Sequence, residues 1–170
     1  MTSGRSATIY QTDRTHTVNT FYHCFVVQDI QHATHDLTRA LGVRWSPIRT
    51  GRLGEWDYRI VFSVEGPPFF EVIQGDPGSP WDATGGSRFD HIGYWSSDVT
   101  VDKRRLEERG ARIEFDSCPY GRSFTYHRID SIGVRVELVD IAVQEGFLHS
   151  WSPGGAAMPA LDLDRPTPES

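Results

Sequence analysis

Two histidines and two glutamates recur at matching places in this chain. His23 stands in Phe21-Tyr22-His23-Cys24-Phe25-Val26-Val27 and His91 in Phe89-Asp90-His91-Ile92-Gly93-Tyr94-Trp95, each two residues after an aromatic. From His23 to Gly42 the chain runs 19 residues, and from His91 to Gly110 it runs 19 again. Glu71, in Phe69-Phe70-Glu71-Val72-Ile73, follows His23 by 48; Glu137, in Val134-Arg135-Val136-Glu137-Leu138-Val139, follows His91 by 46. Imidazole nitrogen and carboxylate oxygen together suit a first-row divalent ion, and four such donors leave positions open on a six-coordinate metal. Two carboxylates and two neutral imidazoles make the site formally neutral around the ion, which can then polarise a carbonyl oxygen and stabilise charge developing on it. Taken singly, a strand histidine is more often a satisfied core residue and a strand glutamate a solvent-facing one. The joint repetition carries the reading.

Positioning those residues requires two similar units. Phe21 to Gln28 reads as a strand, with His23, Phe25 and Val27 on one face and Tyr22, Cys24 and Val26 on the other. Asp29 caps a helix whose apolar residues Ile30, Ala33, Leu37 and Leu41 share a side, and Gly42 ends it. Val43 to Arg49 and Trp56 to Val64 read as strands about a turn at Gly51 to Gly54, and Phe69 to Gln74 as a third. Phe69, Glu71 and Ile73 share a face there, and a carboxylate between apolar side chains needs a partner. After a Gly-, Pro- and Asp-rich linker, residues 75–88, the second unit runs through Phe89 to Trp95, a helix capped at Ser96, Ser97 or Asp98 and stopped by Gly110, and strands over Ala111 to Phe115, Phe124 to Asp130 and Val134 to Asp140. The order is β-α-β-β-β twice. The boundaries expected are an arm over residues 1–17, one domain over 18–140 (first module 18–74, second 89–140) and a tail over 141–170, its last ten residues mobile. Phe147, Leu148 and Trp151 form a short helix that packs on this chain or on another subunit.

Around the four donors, Phe25, Phe69 and Trp95 share faces with the proposed ligands and would line an apolar pocket. His127 and Tyr126 alternate on one strand, so one of them faces the pocket, and His127 is the candidate substrate contact. Arg135 shares a face with Glu137 and could meet an anionic group, or form an exterior ion pair.

At 170 residues the chain fits one domain. A net charge of −6, from 17 basic and 23 acidic residues, leaves no basic stripe for nucleic acid. No apolar run approaches the roughly 20 residues of a membrane span. Two cysteines, Cys24 and Cys118, point to a reduced, cytoplasmic protein rather than a disulfide scaffold.

With these residues the chain resembles the vicinal oxygen chelate superfamily of glyoxalases, epimerases, extradiol dioxygenases and bleomycin-resistance proteins. The resemblance covers roughly Phe21 to Asp140, and His91-Ile92-Gly93-Tyr94 and Leu106-Glu107-Glu108-Arg109-Gly110-Ala111 look like the opening of the second module in its epimerase-like members. It implies an α+β fold of two tandem βαβββ modules forming a curved, partly closed mixed β-sheet barrel with helices outside. It also implies one divalent ion (Zn, Ni, Co, Mn or Fe) held by His23, Glu71, His91 and Glu137, with Glu137 or Glu71 leaving the ion to act as base. The expected function is an isomerase, epimerase or lyase moving a proton beside the carbonyl of a small, largely apolar substrate. The alternatives are a metal-free protein sequestering an aromatic ligand and an iron-dependent dioxygenase. Members pair their modules within one chain or across a homodimer, and both arrangements stay open here.

Overall fold

A computed structural model describes residues 20–164; the arm expected over residues 1–17 lies outside the described residues. β1 (Tyr22–Val26), α1 (Ile30–Leu41), β2 (Arg49–Leu53), β3 (Trp56–Phe62) and β4 (Phe69–Gly75) form the first unit. β5 (Arg88–Ser96), α2 (Val99–Glu108), β6 (Arg112–Asp116), β7 (Phe124–Ile129) and β8 (Val134–Asp140) form the second, and α3 (Gln144–Trp151) follows. Both long helices begin where a carboxylate meets orphan N–H groups: Asp29 accepts from Gln31 and His32, and Asp98 from Val101. Gly42, at φ 73°, supplies the left-handed residue that ends α1.

The eight strands make one mixed sheet in the order β2-β3-β4-β1-β5-β8-β7-β6, curled into a half-barrel. β1 and β5 run antiparallel at its centre, flanked in parallel by β4 and β8. Their register shows the internal symmetry. Tyr22 faces Gly93 and Cys24 faces His91, so exchanging Tyr22 with His91 and Cys24 with Gly93 maps the pairing onto itself. The same exchange takes Glu71, opposite Cys24, to Glu137, opposite Gly93. The two units therefore pair within one chain.

One strand differs from the sequence expectation. Residues 43–48 make only an isolated bridge at Trp45, and the strand comes later, with the turn at Gly54 and Glu55. Gly51 belongs to β2 because the Tyr58 ring lies across it: an added Cβ would come within 2.3 Å of that ring. This is a close-approach glycine rather than a turn glycine.

Strand alternation divides the apolar residues between the two faces. Val27, Ile30, Val61 and Val72 form a cluster under α1, joined by Phe25 and Leu37. On the concave face Tyr22, Cys24, Phe62, Phe69, Trp95 and Tyr126 belong to the main core. α3 closes one end of that core, with Phe147 among Phe21, Phe62, Phe69 and Trp95. The chain beyond α3 stays attached: Met158 exchanges hydrogen bonds with the Gln144 side chain, and the Leu161 N–H donates to Trp95 O. Thus α3 packs on its own chain, and residues 161–164, expected to be mobile, are tied to it. Among the described residues no helix is long and apolar enough to cross a membrane.

Candidate functional site

The concave face brings three oxygens to one imidazole nitrogen. His91 Nε2 lies 3.1 Å from Glu137 Oε2, 3.3 Å from Glu71 Oε2 and 3.2 Å from the Tyr22 hydroxyl. All four residues are buried. Cys24 completes the group: its Sγ and the donor atoms of Glu71 and His91 all lie within 4.8 Å of one another.

The other nitrogen of His91 is taken. Nδ1 is 2.8 Å from Asp90 Oδ2. Asp90 can turn inward beside His91 because the β1–β5 register passes from Cys24–His91 to Phe25–Phe89, leaving Asp90 as the extra residue of a bulge. Arg135 grips the same carboxylate through Nε and Nη2, donates to Pro80 O and lies 4.1 Å above the Tyr126 ring. Burial alone would raise the Asp90 pKa, but the hydrogen bond from His91 and the Arg135 charge and hydrogen bond prevail and hold it at about 2. A carboxylate acceptor at Nδ1 keeps that nitrogen protonated and turns the Nε2 lone pair toward the two glutamates.

The Tyr22 O–H donates to that lone pair, but the two carboxylates facing it are acceptors, and a cation between them and Nε2 would satisfy all three groups. Glu71 Oε2 is buried without a hydrogen-bond partner. Two donors bound at about 2.1 Å to one ion stand about 3.0 Å apart at right angles and about 3.4 Å apart at the tetrahedral angle. The His91–Glu137 and His91–Glu71 separations fall in that interval. The residues present therefore fit a divalent ion held by imidazole and carboxylate. Burial pushes the Glu137 carboxyl well above its usual range, and burial together with the neighbouring Glu71 charge does the same to the Cys24 thiol.

A cavity of about 250 Å³ opens onto Glu71 and Glu137, walled by Tyr58, Ile60, Ile73, Trp81 and Tyr126. The Trp81 indole N–H donates to the Tyr126 hydroxyl at 2.8 Å, fixing two of these rings. A larger cleft of about 550 Å³ over β2, β3 and β4 contains no member of the cluster.

Several expected site residues stand elsewhere. His23 points to the opposite face, where its ring meets Phe89, because strand neighbours alternate and Cys24 faces inward. Phe25 is likewise on the α1 side, against Phe70 and Phe89. His127 is buried on the outer face, between Thr125 Oγ1 and Ala111 O, and burial lowers its pKa; Tyr126 is the residue that reaches the cavity. Phe69 and Trp95 share the concave face but pack against Phe147 in the core instead of lining the cavity. Arg135 is committed to Asp90. Glu71, His91 and Glu137 do come together, whereas Tyr22, Cys24 and Asp90 were not anticipated.

A count from the helix caps would have found Tyr22. It precedes Asp29 by seven residues, as His91 precedes Asp98 by seven.

Comparison with known proteins agrees with this architecture. No curated protein matches the chain in sequence. Among solved structures, a Streptomyces coelicolor methylmalonyl-CoA epimerase variant in complex with 2-nitronate-propionyl-CoA superposes with a TM-score of 0.51 at 16% identity, over 72% of this chain and 96% of that one. Methylmalonyl-CoA epimerase from Mycobacterium tuberculosis gives 0.50 at 17% identity, over 72% and 87%. A mutant 4-hydroxymandelate synthase from Streptomyces coelicolor gives 0.52 at 13% identity, over 72% of this chain and 47% of that one. These likenesses concern the fold. The family model described as Glyoxalase/Bleomycin resistance protein/Dioxygenase superfamily matches residues 23–129, most of the described chain, and the protein belongs to that superfamily.

Proposed function

We propose that this protein is a metal-dependent enzyme that moves a proton at the carbon beside a carbonyl group, as an isomerase, epimerase or lyase. The observation that carries the proposal is the approach of Glu71 and Glu137 to His91 Nε2, at 3.3 and 3.1 Å, while Asp90 occupies Nδ1. Glu71 and His91 would hold a divalent ion, with Glu137 beside them. When bound, the ion supplies a Lewis acid that polarises the substrate carbonyl.

The protein supplies the rest. Asp90 and Arg135 fix the His91 ring, so its free lone pair keeps one direction. Glu137 is the base: its carboxylate opens on the cavity, where it can meet the carbon beside the carbonyl. It takes the proton from the carbon beside the carbonyl and returns it to the product. Tyr58, Trp81 and Tyr126 exclude water from that transfer and select a small, largely apolar substrate.

The test is elemental analysis combined with hydrogen exchange. Protein prepared without chelator should carry about one divalent ion per chain and exchange the α-hydrogen of some members of a panel of small apolar carbonyl compounds in D2O. Glu137→Gln should keep the ion and lose the exchange. Protein that takes up no metal, or a Glu137→Gln variant that exchanges at the wild-type rate, would overturn the proposal.

Tyr22, standing where the second module has its imidazole, favours a second reading: a metal-free protein that sequesters an aromatic ligand in the same cavity. Ligand binding followed by Trp81 fluorescence and unaffected by chelator would establish it. The iron-dioxygenase reading ranks third, because oxygenase sites of the two-histidine, one-carboxylate type need a second imidazole and this cluster has one.

A further inference from the structure

We infer that Cys24 is a thiolate ligand of the same ion, so that the first module contributes sulfur where the second contributes imidazole. The inference rests on the metal reading above. Cys24 is flanked directly by Glu71 across the parallel β4 pairing and by His91 across the antiparallel β5 pairing. Three adjacent strands thus present a carboxylate, a thiol and an imidazole in one row. One donor atom from each lies within 4.8 Å of the other two, so a small inward movement of the side chains would bring all three onto one ion.

Two further features point the same way. Glu71 Oε2 is buried in this group without a hydrogen-bond partner, leaving an oxygen that a shared cation would satisfy. Module symmetry also separates Cys24 from a repeated structural position: its counterpart is Gly93, which has no donor at all, while Tyr22 stands where the second module has its imidazole. The Tyr22 ring covers Gly93, where an added Cβ would come within 1.9 Å of it. The second module thus offers a ring nitrogen at the first of these positions, and the first module offers sulfur at the second.

This changes the chemistry of the centre. Binding displaces the thiol proton to solvent and forms a metal–sulfur bond, and the set of thiolate, carboxylate and imidazole adds a soft donor that favours zinc, cobalt or ferrous iron over manganese or magnesium.

Cobalt(II) titration reads the bond directly. In a Cys118→Ser background, which removes the exposed second cysteine, wild-type Cys24 should give a sulfur-to-cobalt charge-transfer band in the near ultraviolet that saturates at one equivalent. Adding Cys24→Ser should abolish that band, keep the visible cobalt bands and weaken cobalt affinity on the order of tenfold. Stoichiometric cobalt binding without the sulfur band overturns the Cys24 assignment and leaves the metal reading standing. Failure to bind cobalt at all overturns both. The deciding spectrum comes from protein that retains Cys24, so the folding of the serine variant does not govern the result.

Discussion

Tyr22 and His91 occupy equivalent positions in the two modules, each seven residues before the aspartate that caps the following helix, and their side chains meet at 3.2 Å on the concave face. One supplies a ring nitrogen to the cluster. The other supplies a phenol whose ring lies flat across Gly93 and whose hydroxyl reaches back to that nitrogen.

The Tyr22–Gly93 contact gives the first prediction. An alanine at position 93 would drive its Cβ into the Tyr22 ring, which cannot swing aside because Phe21 and Phe62 pack edge-on against it. Gly93→Ala should destabilise the protein by about 2–3 kcal/mol, read as a lower urea midpoint with an unchanged slope. Combined with Tyr22→Ala, which removes the ring, its cost should fall well below the sum of the single effects; strict additivity would show that the overlap is relieved elsewhere.

Much of the architecture was legible in local signals. Asp29 with Gly42, and Asp98 with Gly110, bracket the two long helices because a cap acts on the turn next to it. The β-α-β-β-β order follows from the apolar runs between them. What failed depended on distant partners. Gly51 reads as a turn residue until the Tyr58 ring is seen lying across it. Matching the modules by an aromatic two places before a histidine put the first module one residue out of step, and a slip of one residue moves every strand side chain to the other face. His23 and Phe25 were lost from the site in that way, and Tyr22 and Cys24 missed. The inward turn of Asp90 exists only in the pairing of β5 with β1, so no single strand reveals it.

Metal content separates the two histidines. His23 lies on the face away from the cluster, beside Phe89, so His23→Ala should retain the ion at wild-type stoichiometry. His91→Ala removes the nitrogen on which both glutamates converge and should lose at least nine-tenths of the bound metal after dialysis, an affinity loss of about tenfold or more. Equal retention in both variants would contradict the site.

Helix α3 closes the apolar end of the half-barrel chiefly through Phe147, whose ring centroid lies 5.1 Å from that of Phe62 and 5.5 Å from those of Phe21 and Phe69. Phe147→Ala should cost about 3 kcal/mol, since truncating a packed phenylalanine loses its burial and leaves a cavity. A denaturant midpoint within error of wild type would mean that α3 is not part of the cooperative unit.

Asp90 gives the last prediction. Its carboxyl is held at about 2, against the ordinary 3.8, because the hydrogen bond from His91 and the Arg135 charge and hydrogen bond outweigh the opposing effect of burial. Between those values the unfolded chain binds a proton that the folded chain does not. The resulting stability is therefore fully present above about pH 4 and is lost as the pH falls toward 2, a change of about 2 kcal/mol. Asp90→Asn should remove this component, so the difference in unfolding free energy between wild type and variant should shrink as the pH falls from 5 to 2. At pH 7 the variant should lose about 3 kcal/mol or more, because the buried Arg135 guanidinium is left without its carboxylate. Urea unfolding at several pH values measures both effects, and a difference that stays constant across that interval would show that the Asp90 carboxylate is not held by His91 and Arg135.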